Sequence, residues 1–286
     1  MRVQEGGNAK RVREAHSPAV VGKPPVWLII ALASAYVVAL AALAFLPGAT
    51  LIERLRALDG GVCAQLPSHS FFPGGTQLPL CARDSGTYLG FASAVVILWV
   101  SGRGRASRLP PLPIAIVLLL AVAVFGFDGF NSLFNDLGLP HLYQPHNLLR
   151  VATGLGTGTA MAAFIVPVAN GLIWRKEDAR SSFGSFRELA LMVPVLLLDF
   201  LAVSSPSAFM LYPMALITSA GLLVAVTTVN LVFVLGIGNR VGRFGTWRHF
   251  FPIFTLTIVL AVIELMALFA LKNSLLASAL ARAPGA

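Results

Sequence analysis

Long apolar runs dominate this chain and constrain its fold more than any other feature. Several of them approach the roughly 20 residues that cross the hydrocarbon core of a bilayer, and polar segments separate them. Only 12% of the 286 residues are charged, whereas 57% are hydrophobic. That share of charge is about half the share found in an ordinary soluble domain. The sequence therefore excludes a soluble globular protein and predicts a polytopic integral membrane protein.

We expect an all-α fold, a polytopic transmembrane helical bundle of about seven spans, because lipid-facing backbone must satisfy its hydrogen bonds within each segment. Residues 1–24 are basic and lack apolar periodicity, which predicts a disordered cytoplasmic tail. Residues 25–286 then form a single transmembrane domain, with a Cys-containing loop at 47–85. The predicted spans are 27–46, 86–100, 112–127, 151–173, 189–203, 213–235 and 252–271.

The distribution of basic residues predicts the orientation of these spans. Of the 21 Lys and Arg residues, 15 lie on the side of the N-terminus and six on the other side, and none lies within a span. Basic residues accumulate in cytoplasmic loops. We therefore expect a multi-pass protein of the cell membrane, with a cytoplasmic N-terminus and an extracytoplasmic C-terminus. The net charge of +9 then faces anionic lipid and requires no nucleic-acid partner.

The two cysteines of the chain lie in the loop that this topology places outside the cell. Cys63 and Cys81 are close in sequence, and an oxidising compartment favours their disulfide, which would stabilise the fold by about 3 kcal/mol in the chain-entropy model. Two alternatives stay open. In one, the two thiolates bind a metal together with Asp84 or His69. In the other, both cysteines are free or exchange-active thiols.

Three polar residues form a candidate binding site on the same face. Asp128 ends the third predicted span, Arg150 begins the fourth, and Asn147 lies just before it. A carboxylate and a guanidinium at one membrane depth attract each other, so we expect Asp128 and Arg150 to pair. In one interpretation the pair is structural and Asn147 caps the fourth helix. In the other, Arg150 binds a polar or anionic headgroup and Asp128 orients that group or acts as a base.

Asp199 and Glu264 are the two ionisable residues within predicted spans. Both lie in the outer half of the membrane, at similar depth, so their carboxyl groups could meet and share a proton. One interpretation is a proton relay for coupled transport. The other is a pair of protonated carboxyls that hydrogen-bond to Asn230 or to hydroxyl groups and hold helices together.

Small residues recur near the start of the fourth span. Gly154 and Gly158 are four residues apart and Ala162 follows, a spacing that allows two helix backbones to approach closely. The segment looks like a phosphate loop, but it follows no strand, so we interpret it as a helix-packing motif. The histidines of the outer face, His69, His141 and His146, have no metal-ligand spacing, and we expect no metal and no cofactor.

The outer segments resemble an uncharacterised family of prokaryotic membrane proteins, domain-of-unknown-function family twenty eighty-five. The resemblance covers roughly residues 50–175. It depends on a Cys near a Ser-Phe pair, on an Asp-Gly pair and on two longer motifs, PLCARDSGTYLG at 79–90 and NLLRVATG at 147–154. It implies a membrane-helical fold and supplies no known reaction.

This chain departs from the family pattern at two positions. Ala64 stands where the family has His, and Asp84 stands where it has a second Cys in a Cys-x-x-Cys motif. If the family pattern is a four-ligand metal site, this chain lacks one nitrogen and one sulfur ligand. A closed structural zinc site of four Cys or His ligands therefore does not carry over to this chain.

These observations favour a binding, transport or accessory protein that handles a small or lipid-linked solute at the extracytoplasmic face. Its expected partners are the lipid bilayer, that small-molecule or lipid-linked ligand and a partner protein in a membrane complex. Two alternatives remain: a membrane-embedded enzyme with a site around Asp128 and Arg150, or a structural subunit of a larger complex.

Overall fold

The computed structural model describes residues 46–238, 242 and 244–282, which are mainly helical. In chain order the elements are α1 (Leu51–Asp59), α2 (Ala82–Val100), β1 (Ala106–Arg108), α3 (Leu112–Asp136), α4 (Asn147–Ile173), β2 (Asp178–Ser181), α5 (Phe186–Ala190), α6 (Met192–Val203), α7 (Leu211–Ile237) and α8 (Trp247–Arg282). Single 3-10 turns lie at Pro67–His69, Pro73–Gly75 and Ala208–Met210. The predicted tail at 1–24 and all but the last residue of the first predicted span lie outside the described residues.

Within the described residues, four helices are long and apolar enough to cross a membrane. They are Leu112–Asp136, Asn147–Ile173, Ala208–Ile237 and His249–Ser278, which correspond to α3, α4, α7 with its preceding turn, and α8. The prediction of a mainly helical membrane protein is thereby confirmed. Helices α2 and α6 cover the shorter predicted spans 86–100 and 189–203, and they are not among the four. The count of seven spans stays a prediction.

The predicted span at 189–203 is interrupted in the structure. Helix α5 ends at Ala190 and α6 begins at Met192, with Leu191 between them. Pro194 explains the break, because proline has no N–H to donate to the carbonyl of Ala190 four residues earlier. The segment therefore begins as a separate short helix, and only the 12 residues of α6 continue beyond the break.

The central contact of the bundle is between α2 and α4, and glycines form it on both helices. A Cβ atom added to Gly86 or Gly90 of α2 would collide with the backbone of Val151 or Leu155 of α4. A Cβ added to Gly154 or Gly158 would collide with the α2 backbone in return, at Arg83 and Thr87 respectively. The structure confirms that the glycines of the fourth predicted span serve close helix packing.

The polar loops gather at the two ends of the bundle, as the alternation of the predicted spans requires. At one end, the Gly74 N–H donates to the Pro206 carbonyl, and the Lys272 ammonium donates to the Cys63 carbonyl. At the other end, β1 and β2 pair in parallel, and Arg103 forms an ion pair with Glu188. We call the first the Cys63 end and the second the Arg103 end.

Candidate functional site

An ion pair between α2 and α3 lies at the centre of the polar cluster at the Cys63 end. The Arg83 guanidinium donates to the Asp128 carboxylate at 2.6 Å and to the Ser132 hydroxyl at 2.9 Å. The Asp128 side chain is 1% exposed and that of Arg83 is 20% exposed. Arg83 also lies over the ring of Phe125, 5.6 Å from its centroid. This partly buried pair therefore joins the start of α2 to the C-terminal part of α3.

The expected ion pair between Asp128 and Arg150 is wrong. Asp128 is not the last residue of its helix, because α3 continues to Asp136. One carboxylate oxygen of Asp128 accepts from Arg83 and the other accepts from the Tyr143 hydroxyl at 2.8 Å. Both oxygens of Asp128 therefore have partners other than Arg150, and among the described residues no carboxylate lies within 4 Å of the Arg150 guanidinium.

Asn147 orients Arg150 instead of capping the helix. The residue before α4 is His146, which makes no side-chain cap, and Asn147 is the first helical residue. Its Oδ1 accepts from Arg150 at 2.7 Å, while its Nδ2 donates to the Ser68 and Ser70 carbonyls of the loop above. The expectation that Asn147 caps this helix is therefore wrong, and the residue links the loop to the Arg150 side chain.

Arg150 carries a buried positive charge that no carboxylate compensates directly. The residue is 4% exposed, and its Nε has no hydrogen-bond partner in the part of the chain that is described. Arg83 is close enough for its charge to repel that of Arg150. Burying a charge is costly unless it is paired and hydrogen-bonded. Asp136 and Asp128 attract the charge of Arg150 from a distance, but neither is its direct partner.

The loop after α3 completes the cluster. Asn131 holds it, because its side chain accepts from the backbone N–H of Leu142 and donates to the carbonyl of Tyr143. Burial first, and then the hydrogen bond to Asp128, raise the pKa of Tyr143 to about 12. The phenol therefore stays protonated at neutral pH and remains a donor to Asp128.

A mostly apolar groove of about 250 Å³ adjoins this cluster. The Phe127 ring, which lines it, is 6.5 Å from the Tyr143 ring, centroid to centroid. Asn131 supplies the polar edge of the groove. The full lining is Phe127, Phe130, Asn131, Phe134, Pro140, His141 and Leu142. A cationic pair and an aromatic groove therefore lie side by side at the Cys63 end.

The cysteines lie together, but they are not bridged. Both carry free thiols, so the disulfide that the sequence favoured is not formed in the structure. The two sulfur atoms and a carboxylate oxygen of Asp84 all lie within 4.8 Å of one another. His69, the other proposed ligand, is directed elsewhere, because its Nε2 lies 3.2 Å from the Asp136 carboxylate.

Sequence reasoning missed Asp59, which is completely buried at the end of α1. Its Oδ2 accepts from the Ser219 hydroxyl at 2.6 Å, while its Oδ1 has no partner among the described residues. Burial raises the pKa of Asp59 to about 7, and the charge of Asp84 adds to the rise. The sequence could have indicated this residue, because Asp59 follows Ile52 and Leu55 at helical spacing and so belongs to the apolar face of an amphipathic segment.

Asp199 and Glu264 have different partners on different helices. Asp199 of α6 lies against Ser93 of α2. Glu264 of α8 accepts from Asn230 of α7 at 3.0 Å, which is the helix-linking contact that one interpretation proposed. No hydrogen bond joins the two carboxyl groups within the described ranges. A role for either residue in proton transfer stays a prediction.

The sequence comparison covers the part of the chain that forms this cluster. Residues 63–164 match the family described as "Predicted membrane protein (DUF2085)". This segment is similar to the members of that family. It contains Cys63, Cys81, Arg83, Asp128 and Arg150, together with α2, α3 and most of α4. The resemblance drawn from the sequence motifs is thereby confirmed.

The chain is also similar to an archaeal protein. An uncharacterised protein of Methanocaldococcus jannaschii is 29% identical over 122 residues, which is 43% of this chain and 72% of the relative. No solved structure matches the chain. The comparisons therefore show a similarity to predicted membrane proteins and assign no activity.

Proposed function

We propose that this protein binds the anionic group of a small or lipid-linked solute at the Cys63 end, with Arg150 as the main contact and Arg83 beside it. The observation that carries the proposal is the buried guanidinium of Arg150, which has an unpartnered Nε and no carboxylate within 4 Å among the described residues. A phosphate or carboxylate that accepts from this fork would give Arg150 a direct anionic partner and an acceptor for its Nε.

Two further features support an anion at this place. Arg150 belongs to the first turn of α4, a 27-residue helix whose N-terminus has no side-chain cap. Backbone N–H groups at a helix N-terminus favour negative charge and add to the attraction of the guanidinium. The neighbouring groove offers apolar surface for a hydrocarbon chain, which favours an amphiphile with an anionic head.

Binding is favoured over catalysis because Asp128 is already engaged. Its two oxygens accept from Arg83 and Tyr143, and these contacts link α3 to α2 and to the loop that follows α3. The family resemblance supplies no reaction. The proposed role is therefore that of a binding, transport or accessory protein, and the enzyme and structural-subunit alternatives have less support.

The proposal includes the topology inferred from charge. We place the Cys63 end outside the cell and the Arg103 end in the cytoplasm, because the Arg103 end belongs to the side that carries most of the Lys and Arg residues. A solute bound at Arg150 would then approach from the extracytoplasmic side or from the outer leaflet of the membrane.

The test compares lipids and soluble anions as ligands of the purified protein. The thermal unfolding midpoint is measured in nanodiscs of phosphatidylcholine with and without phosphatidylglycerol, and in detergent with glycerol phosphate. For wild type we expect phosphatidylglycerol to raise the midpoint, since a ligand of the folded state stabilises it. If glycerol phosphate gives the same rise, the ligand is a small anion and needs no lipid tail.

Variants separate a specific site from general attraction to anionic lipid. Arg150→Gln should weaken binding about 10- to 100-fold, the loss expected for charge-assisted hydrogen bonds. Arg150→Lys should keep only part of the affinity, because lysine cannot form a bidentate contact. Arg108→Gln removes the same charge from an exposed position at the Arg103 end and should leave binding unchanged. Equal stabilisation of wild type and Arg150→Gln would contradict the proposal.

A further inference from the structure

Two thiols and one carboxylate form a compact cluster where the long outer loop meets α2. Cys63 is 3% exposed and belongs to the loop, whereas Cys81 and Asp84 lie at the start of α2. Their sulfur atoms and one carboxylate oxygen lie within 4.8 Å of one another, and the Cys81 thiol donates to Asp84 Oδ2 at 3.1 Å. Ligands of one tetrahedral Zn²⁺, bound at about 2.0–2.3 Å, stand at comparable separations.

The backbone around Cys63 suits a metal-bound thiolate. Its sulfur accepts from the backbone N–H groups of Cys81 at 3.2 Å and Gln65 at 3.4 Å. Gln65 adopts a positive φ of 57°, which is uncommon for a residue other than glycine, and this conformation accompanies the N–H contact. Donors directed at a sulfur atom stabilise its charged form more than its neutral form.

The charges around the cluster match a bound divalent cation. Two thiolates and Asp84 would carry three negative charges, which a divalent ion reduces to one. The Lys272 ammonium, which donates to the Cys63 carbonyl at 3.0 Å, lies beside that remaining charge. The completely buried Asp59 is four residues before Cys63, and its Oδ1 has no partner in the described part of the chain. No described residue donates to this oxygen.

We propose that Cys63, Cys81 and Asp84 bind a thiophilic divalent metal ion, with Zn²⁺ as the best match. Two soft sulfur ligands favour zinc over magnesium or calcium. The ion replaces the two thiol protons, which pass to solvent, and no electron is transferred. Three protein ligands leave a fourth position open for water, unlike the closed structural zinc site that the departures from the family pattern had excluded.

Such an ion would restrict the position of Arg83, which lies between two of its ligands in the sequence. Arg83 stands between Cys81 and Asp84 and donates to Asp128, so a bound metal would hold the start of α2 in place beneath the Arg83–Asp128 pair. The metal site does not depend on the proposed anion site, since no ligand of the ion contacts Arg150.

The test measures zinc binding by the full-length protein. Protein purified in detergent under reducing conditions is stripped with a chelator and titrated with Zn²⁺, and bound metal is counted by mass spectrometry. Co²⁺ substitution adds the thiolate-to-metal absorption band as a direct sign of sulfur ligation. We expect one equivalent of Zn²⁺ per chain in wild type, and a Co²⁺ spectrum with thiolate ligation.

The variants Cys63→Ser, Cys81→Ser and Asp84→Asn should each lower the affinity for Zn²⁺ by at least about 100-fold. Loss of a residue that only supports a metal ligand costs up to about 100-fold, and these three residues are the proposed ligands themselves. His69→Ala is the control, because it removes a histidine that lies outside the cluster, and this variant should bind Zn²⁺ like wild type.

Unfolding in the presence of the chelator checks the fold, because the Ser variants should unfold as wild type does and should gain no stability from Zn²⁺. Equal zinc affinity of wild type and the Cys63→Ser/Cys81→Ser double variant would overturn the proposal. So would a wild type that binds no zinc when its thiols are reduced.

Discussion

Asp128 pairs with Arg83 because the packing of α2 against α4 brings Arg83 to α3. A Cβ at Gly154 of α4 would collide with the Arg83 backbone, so the start of α2 lies directly against α4. From there the Arg83 side chain reaches Asp128 and Ser132. The sequence predicted that these charges share one side of the membrane. It could not predict the direction in which each helix presents its side chain, and the Asp128–Arg150 pairing was wrong for that reason.

The Arg83–Asp128 pair should be strongly coupled, because Asp128 is almost completely buried. Arg83→Gln leaves that carboxylate without its cation and should lower the free energy of unfolding by on the order of 3 kcal/mol. The double variant Arg83→Gln/Asp128→Asn should recover part of the loss. Chemical denaturation of wild type, the two single variants Arg83→Gln and Asp128→Asn, and the double variant, all in one detergent, measures the coupling. Strictly additive effects would mean that the two side chains do not interact.

Asp59 should make stability depend on pH near neutrality. Its pKa rises from 3.8 to about 7 on folding, so its contribution to stability is fully present below pH 3.8 and is lost as the pH rises through 7. Asp59→Asn has no such dependence. Excess chelator keeps metal binding at the nearby cysteines from contributing. Under that condition, the free energy of unfolding of the variant should rise relative to that of wild type between pH 4 and pH 8, by up to about 4 kcal/mol. A difference that stays constant over this range would show that Asp59 does not titrate as proposed.

Helices α2 and α4 show which features of a helix can be predicted from the sequence. The spacing of Gly154 and Gly158 indicated close packing, and the structure confirms it. Their partners Gly86 and Gly90 lie in another span, and a single sequence does not connect the two pairs. The bounds of helices were less predictable, because α3 continues past the predicted end at 127 to Asp136, and its last turns expose Phe130 and Leu133. Buried Asn131 and Ser132 belong to those turns, which lie beyond the apolar run.

The glycine contact predicts contrasting effects of one substitution at two positions of α4. Gly158→Ala places a methyl group against the Thr87 carbonyl and should lower the free energy of unfolding by about 3 kcal/mol. Gly171→Ala is the matched control, since a Cβ there meets nothing within 4 Å. It should be neutral or stabilise the protein by up to about 1 kcal/mol through helix propensity. Equal unfolding midpoints for the two variants would contradict the close contact between α2 and α4.

At the scale of the whole molecule, different polar groups lie at the two ends of the helical bundle. The Cys63 end contains the thiols, Asp59 and the Arg83–Arg150 cluster, and the Arg103 end contains the short β-pair and its ion pairs. The alternation of spans predicted this division, because loops on one side of a membrane must lie at one end of a bundle. It could not predict that Asn147, Arg150 and the loop at Ser68 and Ser70 form one connected group. Those contacts depend on the path of the loop.

The proposed orientation can be tested in intact cells. In a Cys63→Ser/Cys81→Ser background, a cysteine is introduced by Leu142→Cys, at a residue that is 79% exposed at the Cys63 end, or by Arg108→Cys at the Arg103 end. A membrane-impermeant maleimide should label the Leu142→Cys protein in intact cells and the Arg108→Cys protein only after permeabilisation. The reverse pattern would place the Arg150 cluster in the cytoplasm.

The central claim is that buried Arg150 exists to bind an anion, and a density map tests it most directly. The protein is reconstituted in nanodiscs that contain phosphatidylglycerol, and its structure is determined at a resolution that shows side chains. We predict density for an anionic group within hydrogen-bond distance of the Arg150 guanidinium, with Arg83 still on Asp128. A map in which Arg150 has turned to a carboxylate of the protein, with no ligand beside it, would contradict the account.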